Sequence, residues 1–416
     1  MNSRSEGASV ITGIGVVAPN GIGIEAFWKA TQAGDSVLDR VSRQGCEHLP
    51  LRIAGEVRGF DPGTLVEDRF LVQTDRFSHY ALGAADLALE DARLAQADYA
   101  DDAFSVGVVT AAGSGGGEFG QRELQRLWGQ GPRYVGPYQS IAWFYAASTG
   151  QISIRRGLKG PCGVVCGDEA GGLDAFAHAA RAIRQGSRAM LVGATEAPLA
   201  PYSVVCQLGY EGLSTDDDPE RAYRPFTVKA SGFVPAEGGA MFVVEDAASA
   251  RRRGATVRAV VAGHCATFTG PHRWEESGEG LSRAIRGALR EADCAPEEID
   301  VIFADALGIP AADTAEAWAI TDVLGSRASR VPVTAPKTGT GRAYCAAGTL
   351  DVAAAVMALE HGVVPPTPNV FEVCHDLDVV TGGARAARLR TALVLSRGQM
   401  GSNSALVLRR GPESAV

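Results

Sequence analysis

Hydrophobic residues recur along the chain with two periods, that of β-strands in some segments and that of α-helices in others. Residues 8–18 form an apolar run that ends in a Pro-Asn-Gly turn, which predicts a buried strand. Helices are predicted from Ile24 to Ala33 and from Phe77 to Leu94, where apolar residues recur at helical spacing. Further strands are predicted in SVGVVTAA, RAMLVGATEAP and GGAMFVVEDAASA. This mixture predicts an α/β protein.

An internal repeat divides the chain. The segments Cys166–Gly186 and Gly341–Gly362 each contain a Gly/Ala-rich turn, a Leu-Asp pair, an Ala-rich helix and a closing Gly. The segment ATVRAVVAGHCATF also resembles the opening strand. We therefore predict two similar halves, residues 1–250 and 251–416, with a boundary among the polar and basic residues near 248–256.

Composition and charge exclude several classes of function. The net charge is -9 and no Lys/Arg-rich block occurs, so a nucleic-acid partner is not expected. The eight Cys form no CxxC pair, which favours a reducing cytoplasm, and the isolated His residues predict no metal site. The apolar stretch Ala343–Leu359 contains Asp351, so we interpret it as a buried helix and expect no membrane association.

Four long motifs make the chain recognisable: GPCGVVCGDEAGGLDA, RPFTVKASGFVPAEGGAMFVVED, VPVTAPKTGTGRAYCAAGTLD and RGQMGSNSALVL. Together they resemble the β-ketoacyl synthases. More closely, the chain is similar to the chain-length factors, or ketosynthase β subunits, of bacterial type II aromatic polyketide synthases. The resemblance covers nearly the whole chain. It implies a thiolase fold, an α/β architecture of five αβαβα layers built from two similar halves.

An active member of this family uses a Cys at a helix N-terminus, where the dipole lowers the thiol pKa, and two His that stabilise an enolate. The motifs place other residues at these positions: Glu169 for the Cys, Asp305 for the first His and Arg342 for the second. Lys337 and Glu316 are retained. The resemblance therefore implies no condensation by this chain, and we assign no catalytic residue. The family usually carries Gln where Glu169 stands.

The altered positions allow more than one interpretation. Glu169 and Asp168 are a candidate acid–base pair, although a buried, hydrogen-bonded Glu169 beside a turn residue Asp168 is favoured. Arg342 is expected to pair with Asp305 or Glu169, because such a pair neutralises buried charge. Cys166 lies in the apolar segment GVVCG and is interpreted as a buried, inert thiol rather than a displaced nucleophile.

The string GSGGGEFG resembles a dinucleotide loop only superficially, because no acidic ribose partner or βαβ spacing accompanies it. No cofactor is predicted. In the resembled chain-length factors, the segment after this string lines the end of the partner's acyl tunnel. The implied gate positions are Gly117, Gly120 and Leu124, whose small volume implies a long poly-β-ketone. The alternative is that these glycines serve only backbone turns.

The resemblance implies a non-condensing subunit that forms a heterodimer with an active ketosynthase, completes its acyl tunnel and sets polyketide length. An acyl carrier protein carrying malonyl or polyketide chains is the second implied partner. Aromatic residues typical of interfaces cluster in the expected dimer contact: Trp128, Tyr134, Tyr138, Trp143, Phe144 and Tyr145. The alternatives are a stand-alone malonyl-thioester decarboxylase that uses Glu169, a subunit of a polyene-type ketosynthase pair, and a homodimeric scaffold.

Overall fold

The computed structural model describes residues 8–210, 212–270 and 276–412. Its α-helices are α1 (Ile24–Ala33), α2 (Pro62–Leu65), α3 (Asp68–Gln73), α4 (Arg76–Asp91), α5 (Gly117–Gln130), α6 (Gln139–Ala142), α7 (Ala147–Arg156), α8 (Gly171–Arg184), α9 (Pro201–Gln207), α10 (Ala247–Arg252), α11 (Glu279–Ala292), α12 (Pro310–Leu324) and α13 (Cys345–His361). Its strands are β1 (Ser9–Ala18), β2 (Gly21–Ile22), β3 (Asp39–Arg40), β4 (Ile53–Ala54), β5 (Val106–Ala111), β6 (Cys162–Val165), β7 (Ala189–Glu196), β8 (Gly238–Asp246), β9 (Ala259–Phe268), β10 (Val301–Phe303), β11 (Pro332–Thr334), β12 (Val363–Val364), β13 (Asp378–Val379), β14 (Arg385–Ala386), β15 (Thr391–Arg397) and β16 (Ser402–Arg410).

The same strand order occurs twice in the main sheet. The first half is ordered β6-β5-β7-β8-β1, and the second repeats this order as β11-β10-β15-β16-β9. In each half the first two pairs are parallel and the last two antiparallel. The halves meet where β1 and β9 pair antiparallel. This duplication confirms the two similar halves predicted from the repeat. The predicted division at residue 250 stays a prediction, since α10 runs across it.

The helices form three layers around the two half-sheets. In the middle, α8 contacts β5 and β7 of the first half and β9 and β16 of the second, while α13 contacts β7, β8, β15 and β16. Helices α4 and α7 cover the outer face of the first half, and α11 with α12 covers the second. The result is the predicted αβαβα arrangement of the thiolase fold.

The middle helix α13 is rich in Ala and is buried along almost its whole length. Every residue of α13 from Cys345 to Leu359 is buried, so an amphipathic pattern would place polar groups in the core. Small residues also allow a close crossing, since a Cβ at Gly172 would lie 2.0 Å from the carbonyl oxygen of Cys345. The predicted buried helix is thereby confirmed. No helix in the described ranges is long and apolar enough to cross a membrane.

The outer edges of the two halves differ. Strand β11 is followed in the sheet by the short strand β13, whereas β6 ends the sheet on the other side. Cys162 in β6 is exposed and the other three residues of the strand are half-buried. A Cβ at Gly163 would have no neighbour within 4 Å. Strand β6 is therefore an open edge with room for another backbone beside it.

Candidate functional site

Glu169 stands at the position of the expected nucleophile, just before the N-terminus of α8. Asp168 precedes it in a left-handed turn conformation, with φ at 60°. Glu169 is buried (5% exposed), and its Oε2 accepts the Gln399 N–H at 2.8 Å. The Asp168 Oδ2 accepts the Met400 N–H and the Ser402 hydroxyl, each at 2.9 Å. The structure thus contains the buried Glu169 and the turn residue Asp168 that the sequence favoured.

The two neighbouring carboxyls differ in protonation. Burial, followed by the hydrogen bond and charge of Asp168, raises the pKa of Glu169 well above its ordinary value. Burial also opposes the charge of Asp168, but hydrogen bonds from Glu169, Met400 and Ser402 outweigh it and lower the pKa of Asp168. Of the two carboxyls, Glu169 therefore keeps its proton to the higher pH. A neutral carboxyl is a poor nucleophile, and Asp168 is a weak base because several donors already hold it.

The residues at the two His positions form a buried ion pair. Arg342 Nη2 lies 2.9 Å from Asp305 Oδ1, and each side chain is 1% exposed. Arg342 also donates to the carbonyl oxygens of Asp305 at 3.1 Å and Arg397 at 2.6 Å. Burial opposes the charge of Arg342, but Asp305 outweighs it and raises the pKa of Arg342. Of the two pairings expected from the sequence, the structure forms the one with Asp305.

The retained residues Lys337 and Glu316 hold the backbone around this pair. Lys337 Nζ lies 2.5 Å from Asp351 Oδ2 and donates to the carbonyl oxygens of Ala304 at 2.8 Å and Asp305 at 3.2 Å. Glu316 accepts the N–H of Asp305 at 2.7 Å and that of the following residue at 2.8 Å. Burial and the nearby Asp305 raise the pKa of Glu316 to about 7. Both residues are therefore occupied by structural contacts.

An open cavity of about 1000 Å³ reaches Glu169 but does not reach the ion pair. Its lining includes Tyr145, Tyr202, Tyr210, Phe268, Met400 and Cys206. Asp305, Lys337 and Arg342 are not among its lining residues. A thioester entering the cavity would therefore meet a buried carboxyl where an active ketosynthase has a Cys. It would also find neither side chain at the two His positions.

The three predicted gate residues share one face of α5, because they are spaced i, i+3 and i+7. Gly117 lines the cavity, and a Cβ there would lie 2.1 Å from Ser203 Oγ. At Gly120 the nearest neighbour of a Cβ would be the Trp143 Cβ, 3.9 Å away. Leu124 is 39% exposed and does not line the cavity. This face of α5 thus runs from the cavity wall to the protein surface.

One interpretation of a cysteine is wrong. Cys166 is exposed and lines the cavity instead of being buried in an apolar strand. Strand β6 ends at Val165 and lies at the sheet edge, so Cys166 follows the strand and receives no cover from another one. Partial burial nevertheless raises the pKa of the Cys166 thiol, which keeps it a weak nucleophile at neutral pH.

Glu196 is a site residue that the sequence reading missed. It lies fully buried at the end of β7 and accepts the N–H of Gly113 at 2.6 Å and of Ser114 at 3.2 Å. It thereby anchors the glycine-rich loop that leads into α5. The available signal was a carboxylate among small residues at the end of a buried strand, in VGATEAP, since a buried charge requires partners.

No group of three or more His, Cys, Asp or Glu within residues 8–210, 212–270 and 276–412 is arranged to hold a metal ion.

The residues of the predicted aromatic cluster differ in their exposure. Trp128, Tyr134, Tyr138, Trp143 and Phe144 are exposed, and Trp128 is 83% exposed. Tyr145 is half-buried and lines the cavity.

Comparison with known proteins defines the class. Residues 9–250 match the beta-ketoacyl synthase N-terminal domain, and residues 258–371 match the beta-ketoacyl synthase C-terminal domain. The chain therefore belongs to the β-ketoacyl synthase family.

Relatives narrow this assignment. A polyketide beta-ketoacyl synthase 2 of Streptomyces coelicolor is 70% identical over 97% of this chain and 95% of its own length. The tetracenomycin polyketide synthase ketoacyl synthase beta subunit of Streptomyces glaucescens is 50% identical over 96% of this chain and 98% of its own. The place of this chain within the family is the ketosynthase β subunit, or chain-length factor, of type II polyketide synthases.

Solved structures agree with the fold. The ishigamide ketosynthase/chain length factor superposes with a TM-score of 0.88 at 28% identity, covering 97% of this chain and 99% of that one. A type II polyketide synthase acyl carrier protein in complex with its ketosynthase bound to the hexaketide gives a TM-score of 0.86, also at 28% identity and with the same coverage. Both comparisons extend over nearly the whole of each chain.

The protonated state of Glu169 predicts a pH-dependent effect of Glu169→Gln. Above the ordinary pKa of 4.5, the unfolded chain loses this proton whereas the folded chain keeps it, so the parent loses stability as pH rises. Gln has no proton to lose. As pH rises above 4.5, the variant should gain unfolding free energy relative to the parent, by up to about 1.4 kcal/mol for each pH unit over which only the folded parent keeps the proton. Urea unfolding at each pH measures this. The exposed Glu220→Gln is the matched control, and an equal trend in it would contradict the assignment.

The buried ion pair predicts a non-additive mutant cycle. Arg342→Met removes the cation that is paired with Asp305 in a site closed to water, which should cost about 3 to 5 kcal/mol. Adding Asp305→Asn removes the stranded charge and should restore at least half of that loss. Chemical denaturation of the parent, both single variants and the double variant gives the coupling energy. Simple addition of the two single losses would show that the pair is not coupled.

Proposed function

We propose that this chain is the non-condensing subunit of a heterodimeric type II polyketide ketosynthase. It pairs with an active ketosynthase, completes the acyl tunnel of that partner and sets the length of the polyketide. The observation that carries the proposal is the buried Asp305–Arg342 pair, which occupies both His positions and lies outside the cavity. Glu169 stands where the family has its nucleophilic thiol, and neither His position carries an imidazole that could stabilise an enolate.

The surface next to the cavity supports a partner chain. The open edge of β6 offers unpaired backbone groups, and the exposed aromatic residues Trp128, Trp143 and Phe144 lie on or beside α5 and α6. Large apolar residues exposed together are typical of interfaces. Gly150 in α7 and Gly163 in β6 have no neighbour around a Cβ, which suits close approach of a second backbone. These features favour a dimer that buries α5, α7 and β6.

An acyl carrier protein is the second proposed partner. This proposal is supported by the similar structure in which a carrier protein is bound to its ketosynthase. This chain is itself acidic, with a net charge of -9, so we expect an acidic carrier to dock mainly on the ketosynthase partner. The proposed compartment is the cytoplasm, because all eight cysteines are free, as a reducing compartment would keep them.

The gate hypothesis is supported by Gly120. Glycine in a helix interior costs about 1 kcal/mol relative to Ala, and most such glycines have a structural reason. Gly120 has neither a positive φ nor a close neighbour. We infer that the missing side chain leaves space along the proposed chain path, which favours a long product. The purely structural explanation remains adequate for Gly115, where φ is 59°.

The absence of condensation predicts the location of the acyl adduct. The chain is purified in complex with its ketosynthase and incubated with acyl and malonyl carrier protein, and each subunit is weighed by intact mass spectrometry. The acyl adduct should appear on the ketosynthase only, within a one-to-one complex. Malonyl turnover by the isolated chain, or an adduct on it, would instead support the stand-alone decarboxylase or another chemistry at Glu169.

The gate hypothesis predicts shorter products from Gly120→Phe. The ring would fill the open space beside Trp143 and block the growing chain, while the condensing site of the partner stays unchanged. Liquid chromatography with mass spectrometry of the complex should show the main product shortened by at least one acetate unit. Gly129→Phe is the matched control, since Gly129 also lies in α5 with no neighbour within 4 Å but outside the gate face. Full-length product from Gly120→Phe would overturn the hypothesis.

A further inference from the structure

Helix α5 has few apolar contacts with the core. Phe119 is the only hydrophobic residue among its buried positions, and the other buried residue is Glu123. Its N-cap position is Gly116, which supplies no side-chain hydrogen bond. The helix therefore lacks both the buried stripe and the capping side chain that usually fix a surface helix. Another contact has to position the face that carries Gly117 and Gly120.

Asp75 supplies the missing cap from a different helix. Its Oδ2 accepts the N–H of Phe119 at 2.6 Å. Phe119 is the third residue of α5, and the N–H at this position is one that an N-cap side chain normally binds. The Oδ1 of the same carboxylate accepts the N–H of Phe77 at 3.3 Å, in the first turn of α4, where Asp75 is the N-cap. One buried carboxylate thus caps both helices.

A second contact joins the same two helix N-termini. Arg76 donates through Nε and Nη2 to the two carboxylate oxygens of Glu118, at 2.7 and 3.2 Å. Parallel bonds of this kind fix orientation as well as distance. Helix α4 packs on β1 and β8. The contacts of Asp75 and Arg76 therefore fix the position of α5 relative to the central strands of the first half. The residues held in this way, Glu118 and Phe119, lie between the gate positions Gly117 and Gly120.

We propose that Asp75 is a positioning residue for chain length: it fixes the first turn of α5 and therefore the place at which the growing polyketide stops. This inference rests on the proposed role of α5 as the length gate. Functional groups need to be held within about 0.5 Å of their working geometry. Loss of the Phe119 bond leaves the first turn of α5 attached to α4 by the Arg76–Glu118 contact alone. The gate side chains and the condensing site of the partner stay intact. The product distribution then broadens without loss of the condensation rate.

The substitution Asp75→Ser is designed to keep the cap of α4 and to remove the cap of α5. Serine is a good N-cap for α4, but its shorter side chain does not reach the Phe119 N–H. In the complex with the ketosynthase and carrier protein, we expect the share of products differing from the main length to rise about threefold, with total malonyl consumption unchanged. The matched control is Asp246→Ser at the N-cap of α10, where the carboxylate accepts the Ser249 N–H at 2.8 Å. This control should keep the parent distribution.

Further variants keep the outcomes distinct. If Asp75→Ser does not assemble, Asp75→Asn retains the size of the side chain and a single acceptor oxygen, and it should broaden the distribution to a smaller degree. Gly120→Phe is measured in parallel as the test of the gate itself. Shortening by Gly120→Phe with an unchanged distribution in both Asp75 variants would overturn the positioning role and leave the proposed function standing. Unchanged products in all three variants would overturn both.

Discussion

The ionic contact between Asp305 and Arg342 constrains the rest of the site. Neither charge has access to water, so each requires the other beside it together with hydrogen bonds from the surrounding backbone. The surrounding groups follow from this requirement. Lys337 and Glu316 bind the backbone that carries Asp305, and Asp351 compensates Lys337. The positions that serve enolate chemistry in active relatives have become part of the core, and a change at one of them alone would strand a charge.

This arrangement separates two properties that active ketosynthases combine. The cavity in front of Glu169 has a volume of about 1000 Å³ and an aromatic lining, whereas Asp305 and Arg342 lie outside it. In the proposed function, the chain supplies the shape of an acyl site without its reactivity. Such a subunit can contribute walls to a shared tunnel without competing for the acyl chain. Under the proposed function, that combination would explain why the whole fold is present around an altered site.

Features that depend on local pattern could be predicted from the sequence. Helix α1 has the predicted ends, and the duplicated Ala-rich helices α8 and α13 occupy equivalent places. The Asp305–Arg342 pair was among the expected pairings because two opposite charges replaced two residues of one site. The exposure of Cys166 was not predictable, since it depends on β6 being the edge of the sheet. The double cap by Asp75 was not predictable either, because the Asp75–Phe119 bond joins residues that are 44 positions apart.

The unequal edges of the duplicated sheet have a consequence for assembly. Since the two-residue strand β13 occupies the outer position on one side, the longer open edge is the four-residue strand β6 on the other. Two such chains joined edge to edge satisfy each other, and the continuous sheet then has no comparable edge left at which a third could add. Closed association of this kind stops at two subunits, whereas equal edges at both ends would permit an open-ended fibre. In the proposed heterodimer, the asymmetry between two otherwise duplicated halves would therefore limit growth of the assembly.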